Sequence, residues 1–163
     1  MQLRPVVPAD DIRISILLDE VFEGPMMWQF VKTLRRMNDV ALERIAEVEG
    51  KAVGYICFSR NAAPQDWCTL SVVAVAPSYQ REGRGRQLIH MGLADAKRIG
   101  VKAVTVMGVP EYFQRVGFSA PAARNLELPF GKGQVSLYPI AAGTGLAKTA
   151  VAFSAAYDTA ISG

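Results

Sequence analysis

A chain of 163 residues with 50% hydrophobic and 20% charged side chains has the size and apolar content of a single domain around one core, which excludes a disordered chain. Its net charge of +3 is small and its cations are scattered outside one short run, so a nucleic-acid partner is disfavoured. No stretch approaches the roughly 20 apolar residues that cross a bilayer, and the polar, proline-bearing start is not a secretory leader; a cytoplasmic protein with no membrane contact is expected.

Leu3 and Val6 predict a short first strand, with Pro5 marking it as an edge. Asp10 or Asp11 can cap a helix in which Ile14, Leu17, Leu18, Val21 and Phe22 recur at helical spacing. Gly24-Pro25 breaks it, and a second helix is predicted over Met26 to Arg36 with Trp28, Val31 and Leu34 inward. Helix propensity favours a helix over Ala41 to Val48, but the turn Glu49-Gly50-Lys51 and the β-rich run Ala52 to Ser59 argue for a hairpin, so a strand is predicted. Trp67 to Val75 is a continuous apolar, β-branched run, as a strand buried on both faces requires. After Ala76-Pro77 and the turn Ser78 to Arg84 comes a helix with Leu88, Ile89, Gly92, Leu93, Ala96 and Ile99 on one face, ended by Gly100. Val101 to Met107 reads as a strand and Glu111 to Val116 as a short helix closed by Gly117. Two further strands are predicted over Leu126 to Phe130 and Gln134 to Ile140, joined by Gly131-Lys132-Gly133. Residues 140–163 carry little signal; Val151 to Phe153 either pair at an edge or belong to a loose tail. The whole is mixed α/β, residues 1–163 forming a single domain, with one strand-helix-strand crossover.

Cys57 and Cys68 form no metal or redox motif, and a single histidine, His90, speaks against a His-rich zinc site. Both thiols are expected free and no metal is expected.

The stretch with chemical content is Val73-Ala74-Val75-Ala76-Pro77-Ser78-Tyr79-Gln80-Arg81-Glu82-Gly83-Arg84-Gly85-Arg86. A buried strand ends there, a glycine-bearing turn follows and a helix begins. The opening amides of a helix lack internal partners and the dipole favours an anion beside them. Gly83 and Gly85 let a phosphate approach the backbone, and Arg81, Arg84 and Arg86 can add charged hydrogen bonds. The triphosphate loop is absent, since no Gly-Lys-Ser/Thr follows, and the dinucleotide fingerprint fails because Leu88 stands where its third glycine belongs.

Gln80-x-x-Gly83-x-Gly85 after a Val-rich strand resembles the acyl-CoA signature of the GCN5-related N-acetyltransferases, the GNAT superfamily. Met107-Gly108-x-Pro110-Glu111-Tyr112-Phe113-x-Arg115-x-Gly117-Phe118 is similar to a bacterial subgroup of its predicted members. The resemblance covers about the first three quarters of the chain. It implies a central, mostly antiparallel sheet with a splayed parallel strand pair flanked by helices. It implies acetyl-CoA as co-substrate, its pantetheine arm between Trp67–Val75 and Val101–Met107. The arm would lie along Val73, Ala74 and Val75, and the diphosphate on Gln80, Arg81, Glu82, Gly83, Arg84, Gly85 and Arg86, with Phe113 beside the arm. The family's carbonyl-oxygen donor is a backbone N–H near Val73 to Val75.

The implied reaction is acetyl transfer to a primary amine of a small molecule or peptide by direct attack in a ternary complex. The alternatives are a catalytically silent acyl-CoA-binding module and, less well supported, a basic nucleic-acid-binding domain. The family usually places a proton-donating tyrosine where Phe113 stands; Tyr112 precedes it, and either Tyr112 turns in, water serves, or the acid is dispensable. For the base, Glu111 beside the cleft, Asp66 and Glu23 are candidates, with a water relay as another route. Cys68 reads as a buried strand thiol rather than a nucleophile. The amine acceptor's site is expected from the first two helices and the tail, with Phe22, Met26, Met27, Trp28 and Phe130 as candidate lining residues. A homodimer is compatible with all of this.

Overall fold

A computed structural model describes residues 1–129 and 134–158. The elements are β1 (Gln2–Pro5), α1 (Asp11–Val21), α2 (Met26–Arg36), β2 (Val40–Val48), β3 (Lys51–Arg60), β4 (Trp67–Val75), α3 (Arg84–Arg98), β5 (Ala103–Met107), α4 (Pro110–Gln114) and β6 (Val135–Pro139). The six strands form one sheet in chain order, antiparallel throughout except for β4 and β5, which α3 joins as a parallel pair. This is the mostly antiparallel architecture that the resemblance implied. Pro5 sits in an edge strand, where its missing amide hydrogen breaks no ladder. Ala41–Val48 is strand: the two-residue turn Glu49-Gly50, both at positive φ (51° and 78°), closes a hairpin whose pairing outweighs helix propensity.

Successive strand residues point to opposite faces, and the packing follows. On one face Leu88, Ile89, Leu93 and Ala96 of α3 pack on Ile56, Phe58, Leu70 and Val104. On the other, Ile14, Leu17 and Leu18 of α1 with Val31 and Leu34 of α2 pack on Ile45, Tyr55, Val72 and Ala74. A third cluster gathers Trp67, Ala103, Leu126, Leu137 and Val151. Trp28 is half-buried, its ring under the Arg35 guanidinium at 5.2 Å. Phe22, predicted inward, caps α1 and is 40% exposed, because the helix ends there and the spacing no longer governs its direction.

Two irregularities shape the centre. β3 and β4 pair as Cys57 with Val72 and then Phe58 with Leu70, so Ser71 is an extra residue in β4, a bulge. β4 and β5 pair only at Trp67–Ala103, Cys68–Val104 and Thr69–Thr105. Beyond Thr69 the two strands part into a V.

The C-terminal half corrects one expectation. The described part of the predicted strand at Leu126 forms no strand: Leu126 is a buried anchor and Glu127 makes an isolated bridge to Ala150, while Pro129 has no amide hydrogen to give. Phe130 and Gly131-Lys132-Gly133 lie outside the described residues. The later strand forms as β6, and the tail is neither loose nor paired at a sheet edge: Ala152 makes an isolated bridge, exchanging backbone hydrogen bonds with Ala63 of the loop between β3 and β4. No helix among the described residues is long and apolar enough to cross a membrane.

Candidate functional site

Between β4 and α3 the chain makes one tight turn at Pro77–Tyr79 and is then tied back to the strand, the Gln80 amide Nε2 donating to the Val75 carbonyl at 2.8 Å. Arg81 (φ 71°) and Gly83 (φ 73°) both take left-handed geometry, which turns consecutive amides toward one side. Gly83 is the cap of α3 and has no side chain to offer, so the first amides of α3 are left for a ligand. They face a cleft of about 550 Å³ lined by Val21, Val73, Val75, Gln80, Arg81, Gly83, Arg84, Gly85, Arg86, Tyr112, Phe113 and Arg115. Arg84 lies over the Tyr79 ring at 5.2 Å and pairs with Glu82 at 3.1 Å. Among the described residues Arg81, Arg86 and Arg115 have no ion-pair partner, so the cleft carries uncompensated positive charge beside an open helix N-terminus.

The opposite wall is α4 with its flanking glycines. At Gly108 (φ 149°) a Cβ would stand 2.7 Å from the Phe113 ring, so only glycine lets Phe113 fold back against the strand end. Phe113 meets Phe118 edge-on at 5.8 Å, and Phe118 meets Tyr138 at 5.5 Å, which anchors the wall in the core. Tyr112 stands edge-on to Phe113 at 5.0 Å, is 42% exposed, and reaches across: its Oη lies 3.0 Å from the point a Gly85 Cβ would occupy. The bare backbone of Gly85 therefore makes room for the Tyr112 hydroxyl.

Ten of the predicted site residues come together in this cleft: Val73, Val75, Gln80, Arg81, Gly83, Arg84, Gly85, Arg86, Tyr112 and Phe113. Ala74 does not line it, because strand alternation turns its side chain into the core under α1 and α2. Glu82 points to solvent beside Arg84, and Glu111 is exposed in the first turn of α4, outside the lining. Of the other acids, Asp66 pairs with Lys102 at 3.3 Å at the far end of β4, and Glu23 is exposed. His90 is exposed on α3. Cys68 is buried in the α3-side core, and burial pushes its thiol up to about 11. Cys57 is raised further, to about 12, by burial and then by the nearby Glu43 carboxylate. Both cysteines are free. Among the described residues no group of histidine, cysteine and acidic side chains could hold a metal ion.

Sequence reasoning missed Arg115 and Val21. Arg115 was legible, since it stands three residues after Tyr112 and so on the same side of a helical turn. Val21 had no local signal; the fold of α1 over the sheet brings it to the cleft.

The family model for the acetyltransferase (GNAT) family matches residues 13–118. The uncharacterized N-acetyltransferase YhbS of Escherichia coli (strain K12) is 31% identical over 130 residues, which is 77% of this chain and 78% of that protein. A crystal structure of YhbS from Escherichia coli in complex with CoA superposes with a TM-score of 0.87 at 25% identity, covering 96% of this chain and 91% of that one. A GNAT family acetyltransferase from Brucella melitensis in complex with acetyl-CoA gives 0.79 at 27% identity, covering 96% and 97%. With the anion-seeking turn, the V between β4 and β5 and a family match over most of its length, the chain belongs to the GNAT family of acetyltransferases.

Proposed function

We propose that this chain is an acetyl-CoA-dependent N-acetyltransferase that acts on a primary amine of a small molecule or peptide by direct attack in a ternary complex. The observation that carries this reading is the uncapped start of α3, flanked by left-handed Arg81 and Gly83 and opening on a cleft lined by Val73 and Val75 from the stretch of β4 that has parted from β5. The two similar structures that hold CoA and acetyl-CoA support it. The residues present fit such a ligand. Amides from Arg84 to Arg86 with the Arg81 and Arg86 guanidinium groups suit a diphosphate, and Val73, Val75 and Phe113 offer an apolar wall to a pantetheine arm.

Acetyl-CoA supplies an activated carbonyl and a thiolate that can leave. The chain holds the carbonyl oxygen with a backbone N–H of β4 near Val73 to Val75, on the edge that has no strand partner past Thr69. The acceptor must arrive as the neutral amine, although a free alkyl amine has a pKa of about 10.4. Its lone pair forms the C–N bond, the C–S bond breaks with its electrons to sulfur, and the nitrogen gives up one proton. Tyr112 carries the only hydroxyl among the described lining residues, and we assign it, with its ring turned from Gly85 toward the V, the proton that the thiolate receives. Among the described residues no carboxylate lines the cleft, so the amine proton passes to water.

The test is thermal unfolding with CoA, followed by thiol release from acetyl-CoA over a panel of amines. A ligand at a hundred times its Kd adds about 2.7 kcal/mol. Absence of any shift at millimolar CoA would remove the assignment. The missing carboxylate favours one second reading, a CoA-binding module without catalysis. It predicts the same stabilisation with no thiol release, and turnover of a single amine eliminates it.

A further inference from the structure

On the face of the sheet opposite α3, a strip of hydroxyl and amide side chains crosses β3, β4 and β5. Ser59, Asn61, Thr69 and Thr105 are all buried there, where apolar residues would pack without needing hydrogen-bond partners. Thr69 Oγ1 lies 2.8 Å from Thr105 Oγ1 and donates to Asn61 Oδ1 at 2.6 Å. Ser59 Oγ lies 2.7 Å from Ser71 Oγ. The strip stops where the V begins, because Ser71 is the bulge residue and Thr69 the last residue of β4 paired with β5.

The C-terminal segment closes on this point. Tyr157 Oη donates to Ser71 Oγ at 2.7 Å. The Tyr157 ring is held by Phe30 of α2 at 4.9 Å and by Phe153 at 5.7 Å. The segment is fastened on either side, since Ser154 Oγ donates to Asp39 at 2.6 Å, Ala152 pairs with Ala63, and Ala156 is fully buried.

Counting protons gives the arrangement a direction. Ser71 Oγ donates to the Thr69 carbonyl at 3.1 Å and accepts from Tyr157 Oη, while Ser59 lies within hydrogen-bond reach of both Ser71 and Tyr157. The single Tyr157 proton is committed to Ser71, and of the two lone pairs on its oxygen Ser59 can take one, which leaves the other to accept with. Burial pushes the phenol up to about 12, so it stays neutral. A second sign of an expected guest lies on the same strip: Asn61 Nδ2 is buried and, among the described residues, has no partner. A buried donor left without a partner is destabilising.

We propose that the Tyr157 hydroxyl, oriented by Ser71, holds the acceptor amine at the apex of the V by accepting one of its N–H bonds. This rests on the acetyl-CoA reading and extends it to the acceptor side. With one N–H held from this face, the nitrogen lone pair is left to point through the gap between β4 and β5, toward the acyl group on the α3 side. Ser71 acts through Tyr157 and is a positioning residue.

The test uses two ligands. One is CoA. The other is CoA alkylated on sulfur with N-propylbromoacetamide, which carries an amide N–H just past the sulfur. Both are titrated calorimetrically into the wild-type chain, Tyr157→Phe and Ser71→Ala. Tyr157→Phe keeps the ring contacts and loses only the hydroxyl. The expected result is unchanged CoA affinity in both variants, with affinity for the amide ligand lowered about tenfold in Tyr157→Phe and lowered in Ser71→Ala. Equal affinity of wild type and Tyr157→Phe for the amide ligand overturns the proposal. A parallel fall for both ligands also overturns it, since that is a general loosening of the tail. Failure of wild type to bind CoA at all is a different result, and it removes the acetyl-CoA reading together with this one.

Discussion

Gly83 and Gly85 stand two residues apart in the turn and are needed for different reasons. Gly83 holds a left-handed conformation (φ 73°) that side chains rarely adopt, while at Gly85 the limit is space, with the Tyr112 hydroxyl 3.0 Å from the missing Cβ. Gly83→Glu combines backbone strain with a negative charge at the helix N-terminus. It is expected to abolish the thermal stabilisation by CoA, and retention of the full shift would contradict the assignment. Tyr112→Phe separates binding from chemistry. CoA affinity is expected to hold while thiol release slows about tenfold near neutral pH, a modest loss because a thiol of pKa about 8.5 leaves readily. The defect should shrink above that pH, where the thiolate needs no proton, and a pH-independent defect would argue against the acid role. At this scale the turn was legible because its glycines and arginines are contiguous. Tyr112 and Phe113 were not separable: a short helix fixes which of two adjacent rings faces inward only through what it packs on, here Phe118 and the bare Gly108.

At the level of elements, α3 must lie flat on β3 for its opening amides to aim into the cleft. Gly92 makes this possible, since a Cβ there would sit 2.9 Å from both Ile56 Cδ1 and Phe58 Cε1. Gly92→Val is expected to lower stability by about 1–3 kcal/mol through overpacking, measured by urea unfolding. The run Trp67 to Val75 announced a doubly buried strand, and its helix-bearing crossover followed. Neither the bulge at Ser71 nor the parting of β4 and β5 after Thr69 could be read, because both depend on register against neighbours. The failed strand at Leu126 has the same origin: Leu126 and Leu128 alternate as strand residues do, but that segment finds only a bridge to Ala150.

For the molecule as a whole, the sheet edge is locked to α1 by an ion network in which Arg4 and Arg13 both contact Asp10 at 2.8 Å and Glu47 at 2.6 and 3.2 Å. Asp10 also accepts the Val7 amide at 2.9 Å. The Arg4 hydrogen bond, above all, holds the Asp10 carboxyl well below the usual carboxylate range, and Arg4 likewise lowers Glu47. A carboxylate lowered by folding contributes stability above its unfolded pKa of about 4, and that contribution is lost as the pH falls through the folded value. Stability should therefore be held at neutral pH and decline below about pH 4. Asp10→Asn should lower the neutral-pH stability and flatten that acid decline, read as Tm against pH. An unchanged acid limb would show that the Asp10 carboxylate contributes nothing to it.

The broad plan of one mixed sheet with helices on both faces was visible in the alternation of elements up to Phe118. The tail was not, because its small residues carry no periodicity and its partners, Ala63, Asp39 and Ser71, are far away in sequence.

The central claim is that the opening amides of α3 cradle a diphosphate. Calorimetric titration of the wild-type chain with CoA and with pantetheine, which has the same thiol arm and no phosphate, tests it directly. Binding of CoA at least about a hundredfold tighter than pantetheine, equivalent to about 2.7 kcal/mol, is the predicted result. Equal affinity for the two would contradict it.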